Sequence, residues 1–300
     1  MNLLIIGGSG FVSGTLARIA LEQGHSVTTV TRGQREVPSG ADSIVADRKD
    51  KEAFAQAIDK HGDEWDLVAD CIGFAPEDAV QDIECFRSRA RHLVFVSTDF
   101  VFEPYDRIYP QPEDGVFRTD SSYGHKKRLC ELELLNADTG EMAWTVIRPC
   151  HIYGPGSLLG CLPNHGRDSE LLQKMKEGNT LALVGGGYFL QQPNFAPDLA
   201  KLILSCTDNE NCKRGIFNSA GPDIIESKKY YEIIANVLGV KTSFEEISVD
   251  KHLKENPSQD AFLCHRIYDL TRLKEAGLKV PSTSIQEGLR LHTESILNQT

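Results

Sequence analysis

Tyr123 and Lys127 stand four residues apart in the stretch Tyr123-Gly124-His125-Lys126-Lys127, and helical sequence runs on behind them to Leu135. Residues i and i+4 lie one above the other on a helix face. A lysine ammonium in that position favours phenolate, so the pair predicts a tyrosine whose pKa falls toward working pH and which exchanges a proton with a substrate. Two further stretches give the pair weight: Gly7-Gly8-Ser9-Gly10 near the N-terminus, and Ser97-Thr98-Asp99 upstream of the tyrosine.

The elements that must position these residues read as an alternation of strands and helices. Residues 2–6 form a short apolar run, Phe11 to Gln23 has helical apolar spacing closed by Gly24, and Val27 to Val30 is the next strand. Strand, glycine turn, helix and strand within about 30 residues make a βαβ unit, the context in which such a turn binds a dinucleotide. Backbone N–H groups at the helix start face the pyrophosphate, and glycines let it approach. The spacing is Gly7-x-x-Gly10-x-x-Ser13, with Ser13 where a third glycine is usual. An acidic residue at the end of the second strand would bind the adenosine ribose 2′-hydroxyl. This chain has Thr31-Arg32-Gly33 there, with Arg35 close by. An arginine pairs with a 2′-phosphate, so NADP is favoured over NAD.

Further strands are predicted at 43–46, 66–69, 92–96 and 144–147, and helices at 51–60, at 77–87 and from Tyr123 onward. That alternation implies a parallel sheet covered on both faces, with ligands beyond the carboxyl ends of the strands, where Gly7 to Gly10, Thr31, Asp47, Gly73 and Thr98 fall. After Pro149 the sequence turns loop-rich, with helices predicted at 170–176, 197–206, 228–238 and 284–297 and a late strand at 215–218. The expected fold is α/β: a Rossmann-type doubly wound parallel sheet from residues 1–150 with a return segment near 194–218. A smaller interleaved substrate lobe is expected from 151–193 and 219–300.

Composition narrows the classes of function. The chain has 300 residues and a net charge of -11, which argues against nucleic acid as a partner. No apolar run approaches a membrane span, and Met1 leads straight into Leu3-Leu4-Ile5-Ile6 without a basic leader. Eight scattered cysteines without C-x-x-C spacing read as reduced structural thiols of a cytoplasmic protein, and neither they nor the nine histidines suggest a metal site.

Taken together, Gly7-Gly8-Ser9-Gly10-Phe11-Val12, Asp47, Ser97-Thr98-Asp99-Phe100-Val101-Phe102, Tyr123 to Lys127, Arg148-Pro149 through Tyr153-Gly154-Pro155-Gly156, and Asp198-Leu199-Ala200 resemble the extended short-chain dehydrogenase/reductase superfamily, its NAD(P)-dependent sugar epimerase/dehydratase group. The resemblance implies Thr98 as the catalytic hydroxyl, Tyr123 as acid/base and Lys127 as ribose ligand. It implies a cofactor held by Gly7, Ser9, Gly10, Phe11, Val12, Thr31, Arg32, Asp47 and Gly73, and a homodimer is compatible with it. Dehydratases of the group follow the threonine with Asp-Glu; here Asp99 precedes Phe100, which cannot carry a proton, so elimination of water loses ground. Many members carry an arginine seven residues before the aspartate of the Asp-Leu-Ala helix, where it clamps a nucleotide diphosphate; this chain has Gln191, followed by Gln192. A neutral amide does not replace a bidentate guanidinium. Either His165 and Arg167 compensate or the substrate is a sugar without a nucleotide. The substrate is expected between the Asn164–Asp168 loop and Tyr123, near Asp99, Gln191 and Gln192. The implied activity is that of an oxidoreductase or epimerase on a sugar or sugar nucleotide. The alternative is a non-catalytic dinucleotide-sensing regulator on the same fold, although such proteins commonly lose the Tyr-x-x-x-Lys pair. RNA association, found among chloroplast relatives of the superfamily, is disfavoured by the acidic charge.

Overall fold

The computed structural model describes residues 1–62 and 64–298. Seven strands form the central sheet: β1 (Asn2–Ile6), β2 (Ser26–Thr31), β3 (Asp42–Val45), β4 (Trp65–Asp70), β5 (Ala90–Val96), β6 (Ala143–Pro149) and a last strand, Gly215–Ser219. From one edge to the other the order is last strand, β6, β5, β4, β1, β2, β3, and every neighbouring pair is parallel. The chain runs outward from β1 to β3 and then returns to place β4 beside β1. This is the switch point at which doubly wound sheets open a ligand crevice.

Parallel strands covered on both faces read as continuous apolar runs, and β1 shows why. Leu3 and Ile5 pack on one face with Leu16, Ala17 and Leu199, while Leu4 and Ile6 pack on the other with Phe54, Ile58 and Phe86. Four helices follow the early strands: α1 (Phe11–Glu22), α2 (Lys51–His61), α3 (Pro76–Phe86) and α4 (Tyr123–Asn136). The start of α2 is fixed by Asp50, whose carboxylate accepts the Ala53 N–H. The start of α4 is fixed by Ser122, whose hydroxyl accepts the His125 N–H at 3.3 Å. These caps satisfy N–H groups that a helix start leaves unpaired.

Beyond β6 a further core forms around Tyr153, Leu171, Leu183, Tyr230, Ile234 and Leu289, built on the helices Leu171–Lys176, Ser227–Leu238 and Ile285–Leu297. The expected late strand is the seventh of the sheet. Among the elements that escaped the sequence reading are a parallel pair of strands, Leu181–Val184 with Phe244–Ile247, and the helices Val249–Glu255 and Thr271–Glu275. In Phe244–Ile247 two adjacent glutamates interrupt the apolar pattern, so the periodicity that marks a strand is missing. Single bridges pair Gln111 with Tyr268 and Gln191 with Arg266, which brings the segment around Arg266 against the sheet domain.

Candidate active site

The glycine turn after β1 lies at the carboxyl end of the sheet and opens α1. Gly7 and Gly8 have φ of 116° and 113°, in the left-handed region that favours glycine. A Cβ on Gly8 would stand 2.5 Å from the Thr29 side chain, so the turn closes onto β2 with no room for one. Ser13, in place of the third glycine, fits because its hydroxyl accepts the Gly10 N–H at 3.2 Å. Ser9, Phe11 and Val12 are partly open around the exposed Gly10. Thr31 ends β2 with its hydroxyl accepting the Gly33 N–H, Arg32 is exposed beside it, and Asp47 lies exposed just past β3. A glycine cradle without space for Cβ atoms at the start of a twelve-residue helix suits a dinucleotide pyrophosphate.

Below this rim lies a buried cluster that motif reading missed. Arg48 contacts Asp70 at 2.9 Å, Asp82 at 3.0 Å and Asp78 at 3.2 Å. Burial works against the Asp70 charge, but Arg48 outweighs it and holds this carboxyl below its ordinary range. Burial, then the charge of Asp70, drives Asp82 well up. A carboxylate ending the apolar run Leu67-Val68-Ala69 was the signal available in the sequence.

Lys127 is fully buried, and its Nζ donates to the carbonyls of Gly73, at 2.6 Å, and Val96, at 2.5 Å. It joins α4 to the end of β5 and to the loop after β4, and its ammonium lies 4.4 Å from the centre of the Phe95 ring. Burial lowers its pKa against the opposing pull of Asp70. Tyr123, one turn earlier on α4, sits between the rings of Phe74 and Phe100 at 6.2 and 6.5 Å. Gly124 allows this: a Cβ there would fall 1.8 Å from the Phe100 carbonyl oxygen. Tyr123 is 46% exposed, yet burial first, then the Asp99 charge, pushes its phenol up to about 12, while a hydrogen bond with Thr98 and the charge of Arg167 oppose the rise. The expected fall in the tyrosine pKa is therefore absent from the protein alone. The lysine charge that was to cause it is turned toward Gly73 and Val96.

Thr98 ends the β5 segment with its hydroxyl accepting the Phe100 N–H at 3.3 Å. Ser97 turns away and donates to Glu131 at 2.6 Å. Glu131 also receives Arg148 at 2.9 and 2.7 Å and Arg128 at 2.8 Å, so one buried carboxylate locks α4 to β5 and β6. Asp99 is buried and receives Arg266 through two nitrogens, at 2.7 and 2.9 Å, together with the Tyr268 hydroxyl. Burial opposes its charge, but Arg266 dominates and lowers its pKa. Arg107 completes the group by donating to the Asp99 carbonyl at 3.0 Å and to the Tyr268 hydroxyl at 2.8 Å.

The residues expected to meet substrate divide into two groups. Asp99, His165 and Gln192 are engaged within the protein. Both His165 ring nitrogens have partners, Asp168 at 3.3 Å and the Ala182 carbonyl at 3.0 Å. The Gln192 amide donates to the Gly221 carbonyl and accepts the Tyr268 N–H, each at 2.9 Å. Gln191 is 1% exposed, and among the described residues neither its amide nitrogen nor its amide oxygen has a partner. Arg167 is exposed, and its charge reaches Tyr123, His151 and Tyr230. Two polar groups that motif reading did not select join them: Nη1 of Arg266 and Nε2 of His151, both enclosed and without partners among the described residues. Burial, then Arg266, pushes the His151 imidazole down to about 3, so it is neutral. Its place directly after Arg148-Pro149-Cys150 was the only hint in the sequence.

A glycine turn after β1, a threonine past the end of β5, and a tyrosine and a buried lysine on α4 define the class: a Rossmann-type extended short-chain dehydrogenase/reductase fold. The family model described as "NAD dependent epimerase/dehydratase family" matches residues 3–220. The chain belongs to that enzyme family. A chloroplast stem-loop binding protein of 41 kDa from Arabidopsis thaliana is 29% identical over a match that covers 73% of this chain but only 58% of that protein. A UDP-N-acetyl-alpha-D-glucosaminuronate decarboxylase from Bacillus cytotoxicus is 23% identical, covering 96% of this chain and 95% of that one. Among solved structures, a UDP-glucose 4-epimerase from Thermotoga maritima aligns with a TM-score of 0.80 at 19% identity, covering 100% of this chain and 99% of the other. A Thermus thermophilus UDP-glucose 4-epimerase in complex with NAD aligns with a TM-score of 0.79 at 18% identity over the whole of both chains. Among the described residues no helix is long and apolar enough to cross a membrane.

Proposed function

We propose that this protein is an NAD(P)-dependent oxidoreductase or epimerase acting on a sugar or sugar nucleotide at a carbinol or keto carbon, with Tyr123 as its acid/base. The observation that supports the reading is the grouping of Tyr123, Thr98 and Lys127 at the carboxyl end of β5, on the same end of the sheet as the glycine turn after β1. The bound nicotinamide supplies or accepts the hydride. Tyr123 moves the proton at the reacting oxygen, Thr98 orients the phenol, and Lys127 holds the local backbone and offers charge toward the ribose. Arg32 favours NADP, because an exposed guanidinium beside Thr31 is suited to a 2′-phosphate. On the substrate side, the unpartnered amide of Gln191 and the exposed Arg167 support a polyhydroxylated ligand lying between them and Tyr123. Native mass spectrometry of the purified protein tests the cofactor reading: a retained nucleotide of the mass of NADP(H) or NAD(H) supports it. Absence of any nucleotide, together with no binding of either cofactor by calorimetry, would sink it.

The similarity to a chloroplast stem-loop binding protein brings nucleic-acid stem-loops in as a second reading. The net charge of -11 opposes it, since phosphate binding draws on a basic face. Titration of a labelled RNA stem-loop at two salt concentrations separates the two readings. Tight, salt-sensitive binding would favour RNA.

A further inference from the structure

We propose that the substrate is an uncharged polyhydroxy compound, a sugar that carries no nucleotide diphosphate, and that three enclosed polar groups read it: the Gln191 amide, Nη1 of Arg266 and Nε2 of His151. This narrows the functional reading above and rests on it.

The three groups stand on segments laced together by the backbone. The Arg266 N–H donates to the Leu190 carbonyl at 2.8 Å, and the Asn194 N–H donates to the His151 carbonyl at 2.8 Å, so the segment 190–194 joins the other two. Gln191 and Arg266 are directly paired by a single bridge, and they are 1% and 2% exposed. Among the described residues, neither end of the Gln191 amide, nor Arg266 Nη1, nor His151 Nε2 has a partner. A buried donor or acceptor left unpaired is costly. Several such atoms on neighbouring segments, far along the chain from one another, point to a ligand that supplies the partners. Because they are shut off from solvent, the ligand reaches them by parting the segments that carry them.

The balance of charge, donors and acceptors selects the ligand. Arg266 is held by Asp99 through Nε and Nη2, at 2.7 and 2.9 Å, so the buried pair carries no net charge. His151 is neutral, held so by burial first and then by the charge of Arg266. Gln191 carries no charge at any pH. A diphosphate brings negative charge and oxygens that only accept. It would have to share Arg266 with a fixed carboxylate, and it would leave the Gln191 carbonyl oxygen unpaired. Two further arginines act on this neighbourhood. Arg107 donates to the Asp99 carbonyl and the Tyr268 hydroxyl and lies over the rings of Phe102 and Tyr268. Arg167 is exposed, where water screens it. Sugar hydroxyls both donate and accept, so neighbouring hydroxyls can satisfy the two ends of the amide, the guanidinium N–H and the imidazole together. A site built to bond hydroxyls discriminates strongly, because its own polar groups are otherwise left unpaired.

The test compares the natural protein with Gln191→Leu, which keeps the bulk of the side chain and removes both polar ends. Without any ligand, the melting temperature of Gln191→Leu should rise by a few degrees, since unpaired polar atoms leave the core. A fall in melting temperature, or failure to fold, would show that Gln191 serves the structure and would overturn the proposal. Ligand-observed saturation-transfer resonance then follows glucose, galactose, N-acetylglucosamine, uridine diphosphate and UDP-glucose, with the cofactor site filled by NADPH or NADH. At least one free sugar should bind the natural protein saturably, uridine diphosphate should bind at least about tenfold more weakly, and Gln191→Leu should lose about tenfold or more of the sugar affinity. Uridine diphosphate or UDP-glucose binding more tightly than every free sugar, no binding of any free sugar, or sugar binding unchanged in Gln191→Leu would overturn the proposal. Calorimetry with NADP(H) and NAD(H) on the same samples reads the functional assignment separately. Binding of neither defeats that reading, while the melting temperatures and a sugar titration without cofactor still decide the pocket.

Discussion

Lys127 fills its pocket with more than charge. Its ammonium is the hydrogen-bond partner of two carbonyls, Gly73 and Val96, at the floor of the crevice. Lys127→Met keeps the apolar stem and removes both bonds. Unsatisfied buried acceptors cost roughly 1–3 kcal/mol each, so a fall in melting temperature is expected alongside weaker cofactor binding in calorimetry. Unchanged stability would mean that the ammonium turns elsewhere. Arg32 is a simpler case because it is exposed. Arg32→Asp should narrow or reverse a preference for NADP(H) by roughly 1.5–3 kcal/mol, the worth of a charge-assisted hydrogen bond. Equal titration curves for both cofactors with the natural protein would refute the basis of that prediction. At this scale the sequence showed the residues whose spacing alone carries a signal, such as Tyr123 and Lys127 one helical turn apart, although their partners lie far along the chain. It concealed Arg266, which lies 167 positions from Asp99 and becomes visible only once the chain has folded back.

At the scale of elements, α4 is placed by contact with the short turn Asp99–Val101 that follows β5. Gly124 is the point of contact. Alanine is the better helix former by about 1 kcal/mol, which alone would favour Gly124→Ala. The 1.8 Å approach of a Cβ to the Phe100 carbonyl oxygen decides otherwise. Overpacking against backbone costs roughly 1–3 kcal/mol or more, and the shift separates Tyr123 from Thr98. The variant should be less stable to denaturant and nearly inactive; a variant as stable and active as the natural protein would show that α4 is not held at this point.

The strand pair β5 and β6 carries a pH dependence of its own. The Thr145 hydroxyl gives its proton to the Cys212 carbonyl and so accepts from His92 Nε2–H, a bond that neutral and charged imidazole both make, so it is burial that opposes the charged form. Burial lowers the His92 pKa from 6.5 to about 4. The unfolded chain therefore binds more protons than the folded one between these values. This part of the stability is present above pH 6.5 and declines as pH falls toward 4. The shift corresponds to about 3 kcal/mol at most. Urea unfolding at pH 7 and pH 5 should show a smaller loss for His92→Gln than for the natural protein; equal losses would remove His92 as a cause.

For the molecule as a whole, the sheet was legible because parallel strands covered on both faces leave continuous apolar runs separated by helical periods, and all seven appear where the alternation placed them. The later half was less so. The pair Leu181–Val184 with Phe244–Ile247 joins segments far apart in the chain, and its second member lacks alternation. The candidate substrate residues show the same limit: His165 and Gln191 both carry polar side chains, but only the folded chain shows that His165 has two partners and Gln191 none. The central claim, that this fold brings Tyr123 to a nicotinamide cofactor to move a proton during hydride transfer, is tested most directly by stopped-flow absorbance at the reduced-nicotinamide band. The natural protein and Tyr123→Phe would be mixed with NAD(P)H or NAD(P) and with sugar nucleotides and free sugars. Tyr123→Phe keeps the ring and should keep the fold and cofactor binding, while the rate of absorbance change on any substrate that the natural protein turns over should fall by roughly two to four orders of magnitude. An undiminished rate with Tyr123→Phe would contradict the account.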